Sequence, residues 1–141
     1  MKRLLIINGP NINMIGIREP EVYGTGSYDE LCKEIIRYSK LLEMDVSIFQ
    51  SNHEGEIIDE IQAAHGIYDG IIINAGGYTH TSIAILDALK AVNIRTVEVH
   101  LTDIATREEF RRKSFISYFA EKMICGKGFD GYYEALEYFN G

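Results

Sequence analysis

The sequence predicts a doubly wound α/β fold, a five-stranded parallel sheet with helices on both faces, and three observations carry that expectation. Short, almost wholly apolar runs recur at 3–8, 46–50, 70–74, 96–100 and 122–125. Between them the apolar period becomes helical, and strands apolar on both faces that alternate with helices belong to a parallel sheet covered twice. The uncommon polar residues then fall where the runs end, at 8–23, 74–81 and 98–102. Ligands of an open parallel sheet bind outside the carboxyl ends of its strands, so this placement predicts a site for a small polar molecule.

Taken in order, Leu4-Leu5-Ile6-Ile7 reads as a first strand, because Asn8-Gly9-Pro10-Asn11 stops it long before the apolar core of a signal peptide. The stretch 9–26, about eighteen residues without periodicity, is long for a compact domain and marks a functional or mobile loop. A helix over 27–42 rests on two signals. Leu31, Ile35, Tyr38 and Leu42 share a stripe, and Ser27 with Glu30 makes a capping box. The stripes Ile57, Ile61, Ala64 and Ala84, Ala88, Val92 predict helices over 56–68 and 81–92. A shorter helix is expected over 107–118, and 131–139 closes the chain with Tyr132, Ala135, Leu136 and Phe139 on one side. Five strands so connected suggest the flavodoxin-like order 2-1-3-4-5, whose switch point between strands 1 and 3 puts the site between Gly9 and Asn74. With no internal repeat or change of composition, 1–141 reads as one domain.

Composition sets the bounds on function. A chain of 141 residues, 46% apolar and 25% charged, is ordinary for one globular domain that needs no staples. Cys32 and Cys125 are too isolated for a disulfide framework, and no apolar stretch approaches the roughly 18 residues that span a bilayer, so a reduced cytoplasmic compartment is expected. The net charge of −7 disfavours nucleic acid and anionic membranes. Arg107, Arg111, Arg112 and Lys113 nevertheless concentrate positive charge locally, either as a solvated helix face or as a receptor for an anionic small ligand. No HExxH, paired-cysteine motif or dense acidic cluster supports a metal site, and no GxSxG supports a serine nucleophile.

Three constellations can carry chemistry. In the first loop Arg18 and Tyr23 stand together, and a permanently charged guanidinium can hold a tyrosinate as a base. Lowering a phenol from about pH 10 to about pH 7 takes roughly 4 kcal/mol of differential stabilisation, much of which one partly desolvated arginine can supply. The same loop lacks GxGxxG and Gly-Lys-Ser/Thr, which weakens the alternative of a module that binds phosphate or flavin. The second constellation, Asn74 to Ser82, presents hydroxyls, His80 and backbone N–H groups at a helix start, which suits a carboxylate or hydroxyl but also an ordinary cap. In the third, alternation places Glu98 and His100 on one strand face and Val97 and Val99 on the other. A carboxylate that orients an imidazole for proton transfer explains that pair, with a satisfied strand-end histidine as the bland reading. Asp87 breaks the apolar stripe of its helix, exposed or facing a neighbouring subunit.

Four blocks, LLIINGPNINMIGIREPEVYG, QSNHEGEIIDEI, INAGGYTHTSIAILDAL and VEVHLTDIATREEFRRKS, resemble the type II 3-dehydroquinate dehydratases, nearly end to end. The resemblance implies a flavodoxin-like fold assembled as a dodecamer of four trimers, acting on 3-dehydroquinate without metal or organic cofactor. It implies Tyr23 as the base beside the ketone, Arg18 as its partner, His100 as the acid oriented by Glu98, and Asn11, with a water, at the enolate oxygen. Asn74, His80, Leu101, Thr102 and Arg111 match substrate-binding positions, Arg107 matches a cationic position near the loop, and Asp87 would reach a neighbouring subunit's site. The chain departs from the family pattern at Thr102-Asp103, at Ala105-Thr106 and at Leu86. Asp103 would add negative charge close to the site for an anionic substrate.

Overall fold

The computed structural model describes residues 1–17 and 26–141. Its strands are β1 (Lys2–Asn8), β2 (Met44–Gln50), β3 (Gly70–Asn74), β4 (Arg95–His100) and β5 (Lys122–Cys125), all parallel in the order β2-β1-β3-β4-β5. The helices are α1 (Tyr28–Leu41), α2 (Glu54–Ala63), α3 (Ile83–Val92) and α4 (Asp130–Asn140). This is the flavodoxin-like arrangement the sequence predicts.

Strand alternation divides the core into two layers. Leu4, Ile6, Ile72, Val97 and Val99 pack against Leu31 and Ile35 of α1 and Tyr132, Ala135, Leu136 and Phe139 of α4. On the opposite face Leu5, Ile7, Ile71 and Ile73 meet Ile57 and Ile61 of α2 and Ile85, Ala88 and Leu89 of α3. Each such side chain contributes about 1.5–3 kcal/mol when removed from water, so the two apolar faces of the central strands fix the sheet between its helices. No described helix is long and apolar enough to cross a membrane.

Side-chain caps start two helices. Ser27 accepts from Glu30 N–H at α1 (3.1 Å), and Ser82 accepts from Ile85 N–H at α3 (2.9 Å). The cap at Ser82 leaves Thr81 outside α3, whose predicted start was 81. α2 occupies Glu54–Ala63 rather than 56–68.

The helix expected over 107–118 does not form. Two separate 3₁₀ turns stand in its place, at Glu109–Arg111 and Ile116–Tyr118, preceded by a third at Ile104–Thr106. Backbone and side-chain groups that a helix would use internally are directed elsewhere. Phe115 N–H donates to the Thr79 carbonyl (2.9 Å), and the Lys113 carbonyl accepts from His80 Nδ1 (2.7 Å). The segment is thereby laid across the ends of β3 and β4 instead of standing off as a cylinder.

The loops after β1 and β3 approach so closely that two glycines are required. Gly9 N–H donates to the Asn74 carbonyl at 2.7 Å, and a Cβ at Gly9 would lie 2.3 Å from the Ala75 carbonyl oxygen. Gly76, at φ +60°, would press a Cβ to 2.9 Å from the Pro10 carbonyl oxygen. Gly9→Ala is therefore expected to destabilise the fold by about 2 kcal/mol or more, as overpacking does. A urea titration with a midpoint equal to that of the parent would show that the loops yield without strain.

Candidate active site

The carboxyl ends of β1, β3 and β4 surround a cleft of about 250 Å³. That is slightly below the range usual for drug-sized ligands, about 300–1,000 Å³, and suits a small polar molecule. Pro10, Asn11 and Ile12 line it from the β1 loop, Asn74, Gly76, Gly77 and His80 from the end of β3 and its turn, and His100, Leu101 and Thr102 from the end of β4. Ile104, Arg107 and Arg111 complete it from the 3₁₀ segment. The switch point between β1 and β3 is thus only one side of the cleft, which extends to β4.

Eight of the predicted residues, Asn11, Asn74, His80, His100, Leu101, Thr102, Arg107 and Arg111, share this lining. Glu98 lies behind His100, its Oε2 2.5 Å from Nε2. Asp87 is exposed on α3 and does not line the cleft of its own chain. Arg18 and Tyr23 lie outside the described residues. Asp103, whose charge was expected close to the site, turns its carboxylate to Ala105 N–H and is not part of the lining. Leu86 is buried.

Glu98 has no solvent exposure. Burial alone would raise its carboxyl, but hydrogen bonds from His100, Ser114 and Ser117 outweigh that effect and hold it below the usual range, so it is an anion. Oε2 accepts from His100 Nε2, Ser114 Oγ (2.6 Å) and, at longer range, Thr79 Oγ1 (3.4 Å), while Oε1 accepts from Ser117 Oγ (2.7 Å). An anionic carboxylate accepts only, so Nε2 carries the proton and His100 Nδ1 is left for a ligand.

His80 is oriented by the opposite logic. Its Nδ1 lies 2.7 Å from the Lys113 carbonyl, which can only accept, so Nδ1 is the protonated nitrogen. Burial depresses its pKa against the help of that hydrogen bond, and the charges of His100 and Arg111 add to the depression. The ring is therefore held neutral, with Nε2 an acceptor for a hydroxyl.

The buried side of the cleft is held by a polar chain. Tyr132 O–H donates to Asn8 Oδ1 (2.6 Å) and accepts from Asn74 Nδ2 (3.1 Å), while Asn74 Oδ1 accepts from Gly76 N–H (3.2 Å). Complete burial raises the Tyr132 phenol far above its ordinary value, so it remains a donor. Asn8 Nδ2 reaches Tyr28 O–H at 3.3 Å. On the open side, Asn11 takes a left-handed backbone (φ 69°) and its N–H donates to Asn52 Oδ1 at 3.1 Å. Arg107 Nη1 donates to Thr102 Oγ1 at 3.2 Å, and Arg111 Nε pairs with Glu108 at 2.8 Å. Two guanidinium groups, a neutral imidazole and an imidazole backed by a carboxylate can bind an anion bearing hydroxyls and transfer a proton to it.

Sequence reading missed Ser114 and Ser117 around Glu98, the bond of Thr79 to the same carboxylate, and Asn52 beside Asn11. It also placed Tyr132 in an apolar stripe without assigning its hydroxyl. The available signal was the presence of a buried acid on β4, which demands donors that its own strand does not hold.

Comparison with known proteins agrees over the whole chain. A family model described as Dehydroquinase class II matches residues 2–140. The 3-dehydroquinate dehydratase of Clostridium acetobutylicum is 55% identical over 92% of this chain and 90% of that protein. The corresponding protein of Caldicellulosiruptor bescii is 53% identical over 96% of this chain and 94% of its own length. The crystal structure of type II dehydroquinase from Butyrivibrio crossotus superposes with a TM-score of 0.98 at 45% identity, covering 99% of this chain and 98% of that one. The type II dehydroquinase structure from Propionibacterium acnes gives 0.96 at 37% identity, covering 99% and 97%.

The depressed carboxyl of Glu98 stabilises the fold fully above the unfolded carboxyl pKa, about 4.3, and that contribution is lost as pH falls through the lower folded value. Glu98→Gln should therefore cost about 2 kcal/mol or more at neutral pH, with the gap from the parent narrowing in acid. Denaturant titrations from pH 7 downward check this. A gap that stays constant would mean that Glu98 is not the ionised centre of the network.

Proposed function

This chain belongs to the class II dehydroquinase family, and from that membership we propose how its cleft converts 3-dehydroquinate to 3-dehydroshikimate and water. The activity is that of a hydro-lyase, a type II 3-dehydroquinate dehydratase, serving the shikimate pathway or quinate breakdown. The observation that carries the mechanism is the buried Glu98–His100 pair opening on a cleft lined by Arg107 and Arg111.

Tyr23, held as tyrosinate by Arg18, removes a proton from the carbon beside the ketone. The electron pair moves into an enolate, whose oxygen Asn11 stabilises through an ordered water. As the enolate collapses, the carbon–oxygen bond to the departing hydroxyl breaks and His100, entering the step as the imidazolium, delivers its Nδ1 proton while keeping the one on Nε2, so the group leaves as water. Base and acid act on opposite faces, an anti elimination. The proton taken by Tyr23 then returns to His100 through solvent, restoring both groups. Arg111, with the backbone N–H groups of Leu101 and Thr102, binds the substrate carboxylate, Arg107 adds positive charge, and Asn74 and the neutral His80 receive hydroxyls. No metal or organic cofactor enters this scheme.

The same membership supports a cytoplasmic homo-oligomer, a dodecamer of four trimers. Asp87 is exposed on α3 and would act in a neighbouring subunit's cleft.

Tyr23→Phe is expected to lower kcat by a factor on the order of 100 or more, the usual scale for a general base. The readout is the ultraviolet rise of the conjugated enone when 3-dehydroquinate is added in the presence of a chelator. Parent-like turnover by the variant would remove Tyr23 from the mechanism, and quenching by the chelator would restore a metal to it. Light scattering should return a dodecamer, and a stable, fully active monomer would remove the role of Asp87.

A further inference from the structure

The 3₁₀ segment that replaces the expected helix does more than carry two arginines to the cleft. Its adjacent residues Lys113 and Ser114 touch both histidine systems. The Lys113 carbonyl accepts from His80 Nδ1 (2.7 Å), and Ser114 Oγ donates to Glu98 Oε2 (2.6 Å), the oxygen that also receives His100 Nε2. Ser117, one turn on, donates to the other oxygen at 2.7 Å. We propose that Ser114 and Ser117 are positioning residues for the dehydration, locking the Glu98 carboxylate so that His100 faces the departing hydroxyl, and tying that acid to the segment that carries Arg107 and Arg111.

The geometry excludes a looser role. A carboxylate without these hydroxyls would keep only His100 and the longer Thr79 contact on Oε2 and lose its partner on Oε1, so its terminal bond would be less constrained. His100 lies 6% exposed at the cleft edge, and Glu98 is the hydrogen-bond partner of its Nε2. Charge-assisted hydrogen bonds to an anion are about twice as strong as neutral ones, which makes serine hydroxyls effective clamps. The segment and the acid thus form one body, and a substrate carboxylate drawn to Arg111 is registered against the proton on His100.

Ser114 also has a local duty, since its Oγ accepts from Ser117 N–H at 3.2 Å within the turn Ile116–Tyr118. That duty is independent of pH, whereas a hydrogen bond to an ionised carboxylate is not. The other titratable or charged groups around Glu98 are His100 on its own strand, His80 on the turn after β3, Arg111 beside His80, and Cys125 on β5. None of these is altered by a serine substitution.

The inference rests on His100 and Glu98 acting as proposed above, so the test has a reading with substrate and one without. Ser114→Ala and Ser117→Ala are each expected to lower kcat about tenfold with KM changed less than twofold, the double variant to fall short of the product of the two effects, and Ser114→Thr to recover most of the rate. Without substrate, the melting temperature of each alanine variant should lie below that of the parent at pH 7, and the gap should narrow as pH falls through the depressed folded value of Glu98, closing for Ser117→Ala and leaving for Ser114→Ala the pH-independent loss of its local hydrogen bond. Ser117 is an exposed residue, so its variant keeps the test open should Ser114→Ala fold poorly. Unchanged kcat in an active parent, or a melting difference that does not vary with pH, overturns the proposal. A parent without turnover overturns the reaction instead, and the pH dependence of melting then decides the clamp alone.

Discussion

A buried carboxylate organises the functional end of this molecule. Ionised Glu98 sits on an interior strand with no exposure, where an uncompensated charge would cost several kcal/mol. Its own strand supplies one donor, His100. The others arrive from the turn after β3, through Thr79, and from the segment after β4, through Ser114 and Ser117. Satisfying one anion therefore requires two loops to cross the sheet and meet, and the wall of the cleft follows from that meeting. Arg107, Arg111 and the Lys113 carbonyl occupy their places because the segment carrying them is fastened at Glu98.

The second constraint is the approach of the β1 and β3 loops. Gly9 and Gly76 let two backbones come close enough for Gly9 N–H to reach the Asn74 carbonyl. Asn8 and Asn74, paired in register at the ends of these strands, then point into the α1/α4 layer and share the Tyr132 hydroxyl. One side of the crevice is thus held by a satisfied network of neutral groups and the other by a satisfied anion. Both rigidify the lining, as fully satisfied buried networks do.

The two histidines show how the same residue type is directed to different chemistry. A carbonyl partner and burial keep His80 neutral and leave Nε2 as an acceptor. A carboxylate partner fixes the proton of His100 on Nε2 and leaves Nδ1 for a ligand. In each case the second atom of the hydrogen bond, and not the imidazole, decides the role.

Much of this was legible in the chain itself. Short continuous apolar runs between turn signals read as strands covered on both faces, and the stripes of Leu31 and Ile35 or of Ile57 and Ile61 read as helices lying on them, so most of the order of elements follows from periodicity. Asn74, His80, Glu98 and His100 stood out because polar residues at the ends of such runs have few structural uses. The shorter helix expected over 107–118 did not form, and 3₁₀ turns stand there instead. The segment's backbone groups and its serines bond to Thr79, His80 and Glu98, far away in sequence, and no local pattern encodes a distant partner. The sequence by itself determined the layers, the site's location and the candidate acid. Only the tertiary structure decided what holds that acid, because a buried charge selects its donors by distance in space.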